Sequence, residues 1–221
     1  MKNIQDGGEA ILAALRSLRV EYIISSPGSE WPSLWEALAR QRANGTPGPI
    51  YLDCGHETLA VTIAIGYTQV TGRMQTVLLH AGAGLLQGSM AIYGARIFAT
   101  PMLVMSGESS SYGEGDFDPG PQWYRSLNVV GGPQRLVEPI VKVALQSTSV
   151  DTLYHSVVRA GGLAQRTPCG PTYLCVSMES MITEWSRPEA MRAIAPQPTS
   201  RPSDDDIAKV ADELAKARSP F

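Results

Sequence analysis

The sequence predicts an α/β fold, an open parallel six-stranded sheet with helices on both faces. Two observations carry this. Short runs rich in Val, Ile, Leu and Tyr alternate with stretches of helical periodicity, and most of these runs are apolar at successive positions. A strand covered on both faces needs that pattern, because each crossover in a parallel sheet lays a helix on one side or the other. Size agrees: 221 residues, 43% of them apolar, suit one full α/β domain and a remainder.

The elements follow in order. A helix opens at Asp6, with Ile11, Leu12, Leu15 and Leu18 at helical spacing. The strand Val20–Ile24 runs into Ser25-Ser26-Pro27-Gly28-Ser29, where Ser29 is placed to cap a helix through Trp31, Leu34, Trp35 and Leu38. The loop from Asn44 to Pro49 ends it, and Ile50–Asp53 is the second strand. A helix from about Glu57 to Thr71 stops at Gly72. Strand three is Thr76–His80, and Gly82-Ala83-Gly84 leads into a helix reaching Phe98. Met102–Ser106 is strand four. Residues 107–132 are rich in Gly, Ser, Pro and Asp, the composition of a functional loop. A strand near Lys142–Gln146, a helix over Val150–Gln165 and the strand Thr172–Val176 complete a domain of residues 1–186. The prolines Pro188, Pro196, Pro198 and Pro202 mark 187–203 as a linker. Ser203 then caps a helix in 204–221 with Ile207, Val210, Ala211 and Leu214 on one face, read as the first helix of a truncated central domain.

Composition excludes several classes. The net charge is −3 and no Lys/Arg cluster exceeds a pair, so nucleic acid and anionic membranes are not expected partners. No apolar run approaches the roughly 18 residues that span a bilayer, and MKNIQDGG lacks a secretory signal's apolar core. The three cysteines, Cys54, Cys169 and Cys175, share no CxxC spacing. Their plain reading is reduced thiols in the cytoplasm.

The segment Gly55–Glu108 carries the functional signal: GHETLAVTIAIGYTQVTGRMQTVLLHAGAGLLQGSMAIYGARIFATPMLVMSGE. It resembles the N-terminal half of thiamine-diphosphate enzymes of the acetolactate-synthase kind. There a His-Glu pair leads to Gly-Tyr-Ala-Arg-x-Thr-Gly, then a strand, Ser-Gly-Pro-Gly-Ala-Thr-Asn, a helix and a strand entering Gly-Gln. Here His56-Glu57, Gly66-Tyr67, Thr71-Gly72-Arg73, Gly82, Gly84, Ala95, Pro101 and Gly107 fall at that spacing without a gap. Ser26-Pro27-Gly28-Ser29 and Gly170-Pro171-Thr172 resemble the family's first turn and last strand entry, so the likeness covers about residues 7–180.

The resemblance implies the thiamine-diphosphate-binding fold, its pyrimidine-binding domain, and Glu57 as the catalytic group. In that family a glutamate hydrogen-bonds the aminopyrimidine ring nitrogen and so helps the cofactor lose its C2 proton. It further implies cofactor contacts from Pro27, Gly28, Gly82, Ala83 and Gln87. Read on its own, Glu57 is a solvated acid favoured in a first helical turn, and the two glycine turns are ordinary strand–helix connections. His56 reads as a positioner of its turn. His80 stands where relatives carry a small hydroxyl residue, and two readings stay open: facing the substrate, or packing at a subunit contact. Relatives carry a Phe-Gln-Glu stretch or paired histidines in the loop after Gly107, and neither occurs here. By its place in that loop Asp118 or Gln122 could meet the substrate, and the alternative is a solvated loop in which neither does.

Departures from the family pattern point to a divergent member: Gly-Pro-Gly has become Gly82-Ala83-Gly84, and Ser177 replaces the usual proline. The Gly-Asp-Gly motif that holds Mg²⁺ and diphosphate is absent, and Gly115-Asp116-Phe117 with Asn128 does not replace it. Mg²⁺ ligands are therefore expected outside this chain, on a diphosphate-binding domain of the same full-length protein or of a partner chain. No metal site is expected within it, and activity is not expected from it alone. The family also implies a homodimer or homotetramer through this domain; FAD stays open, with no residue here pointing to it. The expected activity is making or breaking a carbon–carbon bond of a 2-oxo acid or 2-hydroxy ketone, as a lyase or transferase. The alternative is a non-catalytic dimerisation or regulatory module of the same fold, for which Glu57 would be needless. A Rossmann or flavodoxin-like nucleotide binder would need a phosphate loop after the first strand.

Overall fold

The computed structural model describes residues 5–108, 131–191 and 201–219. Its elements are α1 (Gly7–Ser17), β1 (Tyr22–Ser26), α2 (Pro32–Ala43), β2 (Ile50–Asp53), α3 (Glu57–Thr71), β3 (Gln75–Leu79), α4 (Ala83–Ile97) and β4 (Met102–Glu108). Then come α5 (Pro133–Val137), a 3₁₀ turn (Glu138–Ile140), β5 (Val143–Ser147), α6 (Val150–Gln165), β6 (Pro171–Ser177), α7 (Met178–Ile182) and α8 (Asp204–Lys216). The six strands form one sheet in the order β2-β1-β3-β4-β6-β5, every pair parallel.

Neighbouring residues of a strand point to opposite faces, and the two cores divide accordingly. Ile23, Leu78, Leu103, Met105 and Leu174 join the core under α1, α2 and α6, whereas Ile24, Val77, Leu79, Val104 and Tyr173 join the core under α3 and α4. That division is why the central strands are apolar at successive positions. The edge strand β2 departs from it, because Ile50 and Leu52 are exposed. Asp6 accepts from the Glu9 N–H at 3.3 Å and caps α1. Gly72, with φ +70°, closes α3 in the left-handed conformation that glycine takes without strain.

The second helix differs from expectation. It begins at Pro32, with Trp31 rather than Ser29 in the capping position. Proline suits the first helical position and drives the residue before it out of helical geometry, so Pro32 sets the start. Trp31 is fully buried, and its Nε1–H donates to the Leu79 carbonyl at 3.2 Å. The chain leaving β1 is thereby tied across to the end of β3. At the far end, Ser203 caps α8 by accepting from the Asp206 N–H, and Ile207, Val210 and Leu214 are all exposed.

Two glycines set how closely α1 packs. A Cβ on Gly8 would lie 2.3 Å from the Ser33 carbonyl, and one on Gly7 2.1 Å from the Ser180 carbonyl, both backbone atoms. Neither neighbour can rotate away. Gly8→Ala is therefore expected to destabilise the domain by about 1–3 kcal/mol, the usual cost of overpacking. A chemical-denaturation curve checks this, and an unchanged midpoint would contradict it.

Candidate active site at the carboxyl edge of the sheet

The chain passes from β1 outward to β2, then returns across β1 to enter β3 on its other side. Loops leaving β1 and β3 consequently diverge, and in open α/β sheets such a switch point is where ligands bind. The turn after β1 carries Pro27 and Gly28, the start of α3 carries Glu57, and the turn after β3 carries His80, Gly82 and Ala83. Five of the six residues expected to bind the cofactor thus lie at the carboxyl ends of three adjacent strands. Gln87 sits one turn into α4, exposed, and its carbonyl accepts from the Thr58 hydroxyl at 2.7 Å, joining α3 to α4. Asp118 and Gln122 lie outside the described residues.

Glu57 is half-buried at the first position of α3. His56 precedes it and caps the helix, its Nδ1 accepting from the Thr58 N–H at 3.2 Å, which is the positioning role its place in the sequence suggests. The Glu57 side chain runs along α4: a Cβ on Gly84 would lie 3.1 Å from its Oε1, and one on Gly88 3.8 Å from its Cβ. Gly82 begins that turn with φ +58°, a conformation that favours glycine. Gly84 leaves room inside the chain for Glu57 and for His80, whose Cβ would stand 2.7 Å from an added methyl.

The structure adds Glu30, a residue the sequence does not single out. It is 2% exposed and lies between the ends of β1 and β3. Its Oε1 accepts the Ala81 N–H at 2.5 Å, and the His80 Nδ1 lies 3.1 and 2.9 Å from its two oxygens. Two glycines make room for it: a Cβ on Gly107 would sit 2.0 Å from its Cγ, and one on Gly28 2.2 Å from its Oε2. The hydrogen bond to Glu30 raises the His80 pKa above the usual histidine value against the opposing effect of burial, and the charge of Glu57 adds to the rise. His80 is therefore held by a carboxylate at the carboxyl end of β3, with Glu57 close enough for its charge to act on the ring. Its partial exposure, 27% of the side chain, leaves the ring reachable.

Glu108 is a second buried acid at the same edge, ending β4. Gln146 donates to it from β5, and the Cys175 thiol donates from β6 at 3.3 Å. Burial, and then the charge of Glu108, push the Cys175 thiol pKa well up, as expected of an inert core cysteine. No helix among the described residues is long and apolar enough to cross a membrane.

Comparison with known proteins identifies the family and the fold. Residues 5–134 match the family described as "Thiamine pyrophosphate enzyme, N-terminal TPP binding domain". The acetolactate synthase large subunit of Haemophilus influenzae is 22% identical over 219 residues, 97% of this chain and 36% of that protein. The 2-hydroxyacyl-CoA lyase 2 of Mus musculus is 28% identical over 109 residues, 49% of this chain and 16% of that protein. In fold, the chain superimposes on the thiamine diphosphate-dependent 4-hydroxybenzoylformate decarboxylase of Rhodococcus jostii RHA1 with a TM-score of 0.71 at 22% identity, covering 96% of this chain and 38% of that one. The chain thus spans little more than a third of the full length of the relatives it matches end to end.

Proposed function

This chain belongs to the thiamine pyrophosphate enzymes through their N-terminal cofactor-binding domain, and on that premise we propose that it forms the pyrimidine side of an active site that makes or breaks a carbon–carbon bond of a 2-oxo acid or 2-hydroxy ketone. The observation that carries the reading is Glu57. Its carboxylate opens a helix at the switch-point edge of the sheet, partly exposed, and backed by the close approach of α4 at Gly84. An aminopyrimidine fits such a place, since it needs one carboxylate for a ring nitrogen and side-chain-free backbone beside it. Glu57 would hold a proton at that ring nitrogen, and the backbone at Pro27, Gly28, Gly82 and Ala83 would orient the ring. When bound, thiamine diphosphate supplies the carbon acid and the electron sink.

The diphosphate half is a different matter. Mg²⁺ needs hard oxygen ligands, and no group of three or more His, Cys, Asp or Glu side chains among the described residues could hold a metal ion. In this reading those ligands lie on a second domain, of the same full-length protein or of a partner. His80 would address the substrate, and the enzyme would be a lyase or transferase of the cytoplasm. The test is thiamine-dependent turnover of pyruvate and other 2-oxo acids by the full-length protein, with and without Glu57.

A second copy of the chain is the partner this reading requires, and α4 offers the surface. Leu86, Met90, Tyr93 and Ile97 recur at helical spacing and are 49–76% exposed. An apolar stripe of that extent beside Glu57 suits a subunit contact. Met90→Asp with Leu86→Asp is expected to shift the full-length protein from dimer to monomer in sedimentation velocity. An unaltered sedimentation coefficient would remove α4 from the interface.

A further inference from the structure

We propose that Glu30 is a positioning residue that turns His80 into an acid–base group of this crevice: its buried carboxylate fixes the proton on Nδ1 and leaves Nε2 as the ring atom that exchanges a proton with a bound ligand.

The geometry argues this in three steps. First, Glu30 is too well enclosed to be a surface acid in the turn before a helix. It is 2% exposed, and side chains at residues 28 and 107 would occupy its space. A buried carboxylate must be matched by donors. The donors here are the Ala81 N–H at 2.5 Å and the His80 Nδ1 at 2.9 Å. Second, an ionised carboxylate only accepts hydrogen bonds, so the ring nitrogen facing it carries hydrogen in the neutral and the charged ring alike. Titration is then confined to Nε2, on the ring edge away from Glu30. Third, the same carboxylate fixes the backbone just before Gly82, through Ala81. One group thus sets both the imidazole and the turn that would border the cofactor. Among the described residues, the charged groups facing His80 are Glu30, from the turn before α2, and Glu57, from α3; both are acidic, and both favour the imidazolium. In the charged ring Nε2–H donates; in the neutral ring its lone pair accepts. A bond-making or bond-breaking step next to a carbonyl needs such a two-way group, and Glu57, engaged with the pyrimidine, is not free to be it.

The assignment of a substrate-side role rests on the function proposed above, whereas the state of the ring does not. The chain has three histidines, His56, His80 and His155, so each imidazole can be assigned by single substitution. Nitrogen-15 NMR of the cofactor-free chain across pH 5–10 is the experiment. The neutral His80 ring is expected as the Nδ1–H tautomer, with a titration midpoint above the ordinary histidine value of about 6.5, and Glu30→Gln should shift that midpoint downward. An Nε2–H tautomer, or a wild-type midpoint at or below about 6.5, would overturn the proposal without any variant having to fold. An unmoved midpoint in a folded Glu30→Gln chain would overturn it as well. In the full-length protein the limb of the pH–rate profile that follows His80 should move in the same direction in Glu30→Gln. Loss of activity in Glu57→Gln is independent of all these readings, so the failure of one leaves the other standing.

Discussion

Glu57→Gln is expected to lower turnover by the full-length protein by at least about a hundredfold, the scale on which a positioned acid–base group acts, with little change in melting temperature. An amide keeps the size of the side chain and its contact with α4, where a Cβ on Gly84 would lie 3.1 Å from Oε1. What it loses is the ability to take up and return a proton at the pyrimidine ring. Helix α3 should survive the change, because its cap comes from His56 and its tie to α4 from the Thr58 hydroxyl. Two measurements separate chemistry from folding. Initial rates with pyruvate and other 2-oxo acids read turnover, and hydrogen–deuterium exchange at the cofactor's C2 reads the proton transfer alone. A variant that melts normally, binds thiamine diphosphate and exchanges slowly is the expected result. Full turnover in that variant would sink the mechanism, and would favour the reading of the domain as a dimerisation or regulatory module.

The extent to which this site is legible in the sequence differs from residue to residue. The place of Glu57, at the start of α3, is legible because the pattern from His56-Glu57 through Gly82 to Gly107 has a fixed spacing. His80 is half-legible: its place at the end of β3 can be read, but its partner cannot. Glu30 is invisible, since a glutamate after Pro-Gly-Ser and before a helix resembles any acid favoured by a helix dipole. Its meaning depends on the space left by Gly28 and Gly107, which are remote from each other in the chain and adjacent only through the β1-β3-β4 order. Glu108 is hidden for the same reason, because its partners Gln146 and Cys175 arrive from β5 and β6.

Much of the fold follows from local pattern, and the exceptions are instructive. The limits of α3 and α6 coincide with their apolar periodicity and bounding turns, and strands two to six fall within a few residues of their apolar runs. The start of α2 differs from the sequence expectation because two local signals compete. Ser29 offers a capping oxygen, but Pro32 fixes where helical geometry can begin, and burial of Trp31 against the end of β3 selects the later start. The exposure of β2 could not be read either. Ile50–Asp53 is as apolar as an inner strand, and only strand order assigns it to the edge.

Gly28→Ala is the second change expected to act strongly, and it distinguishes a built pair from an incidental contact. The added methyl would stand 1.6 Å from the His80 Nδ1, 2.5 Å from its Cε1 and 2.2 Å from the Glu30 Oε2. One of the two side chains must leave. Glu30 is confined, because a methyl-sized space beside its Cγ exists only through Gly107 and its Oε1 is bound to the Ala81 N–H. His80 ends in a partly exposed ring on rotatable bonds, so the ring swings out. The fold should hold, at a cost of about 1–3 kcal/mol, while the His80 titration returns toward the ordinary histidine value and turnover falls. Gly107→Ala makes the opposite choice. Its methyl would meet Glu30 at Cγ, Cβ and Cδ, at 2.0, 2.9 and 3.1 Å, forcing the buried carboxylate off its donors. Stability should then fall further, toward the roughly 3–5 kcal/mol seen when a buried pair is broken from one side. Thermal melts paired with nitrogen-15 titrations resolve the two. A Gly28→Ala protein that keeps an elevated His80 midpoint would show that the ring does not depend on this turn, and that its carboxylate partner is not what holds it.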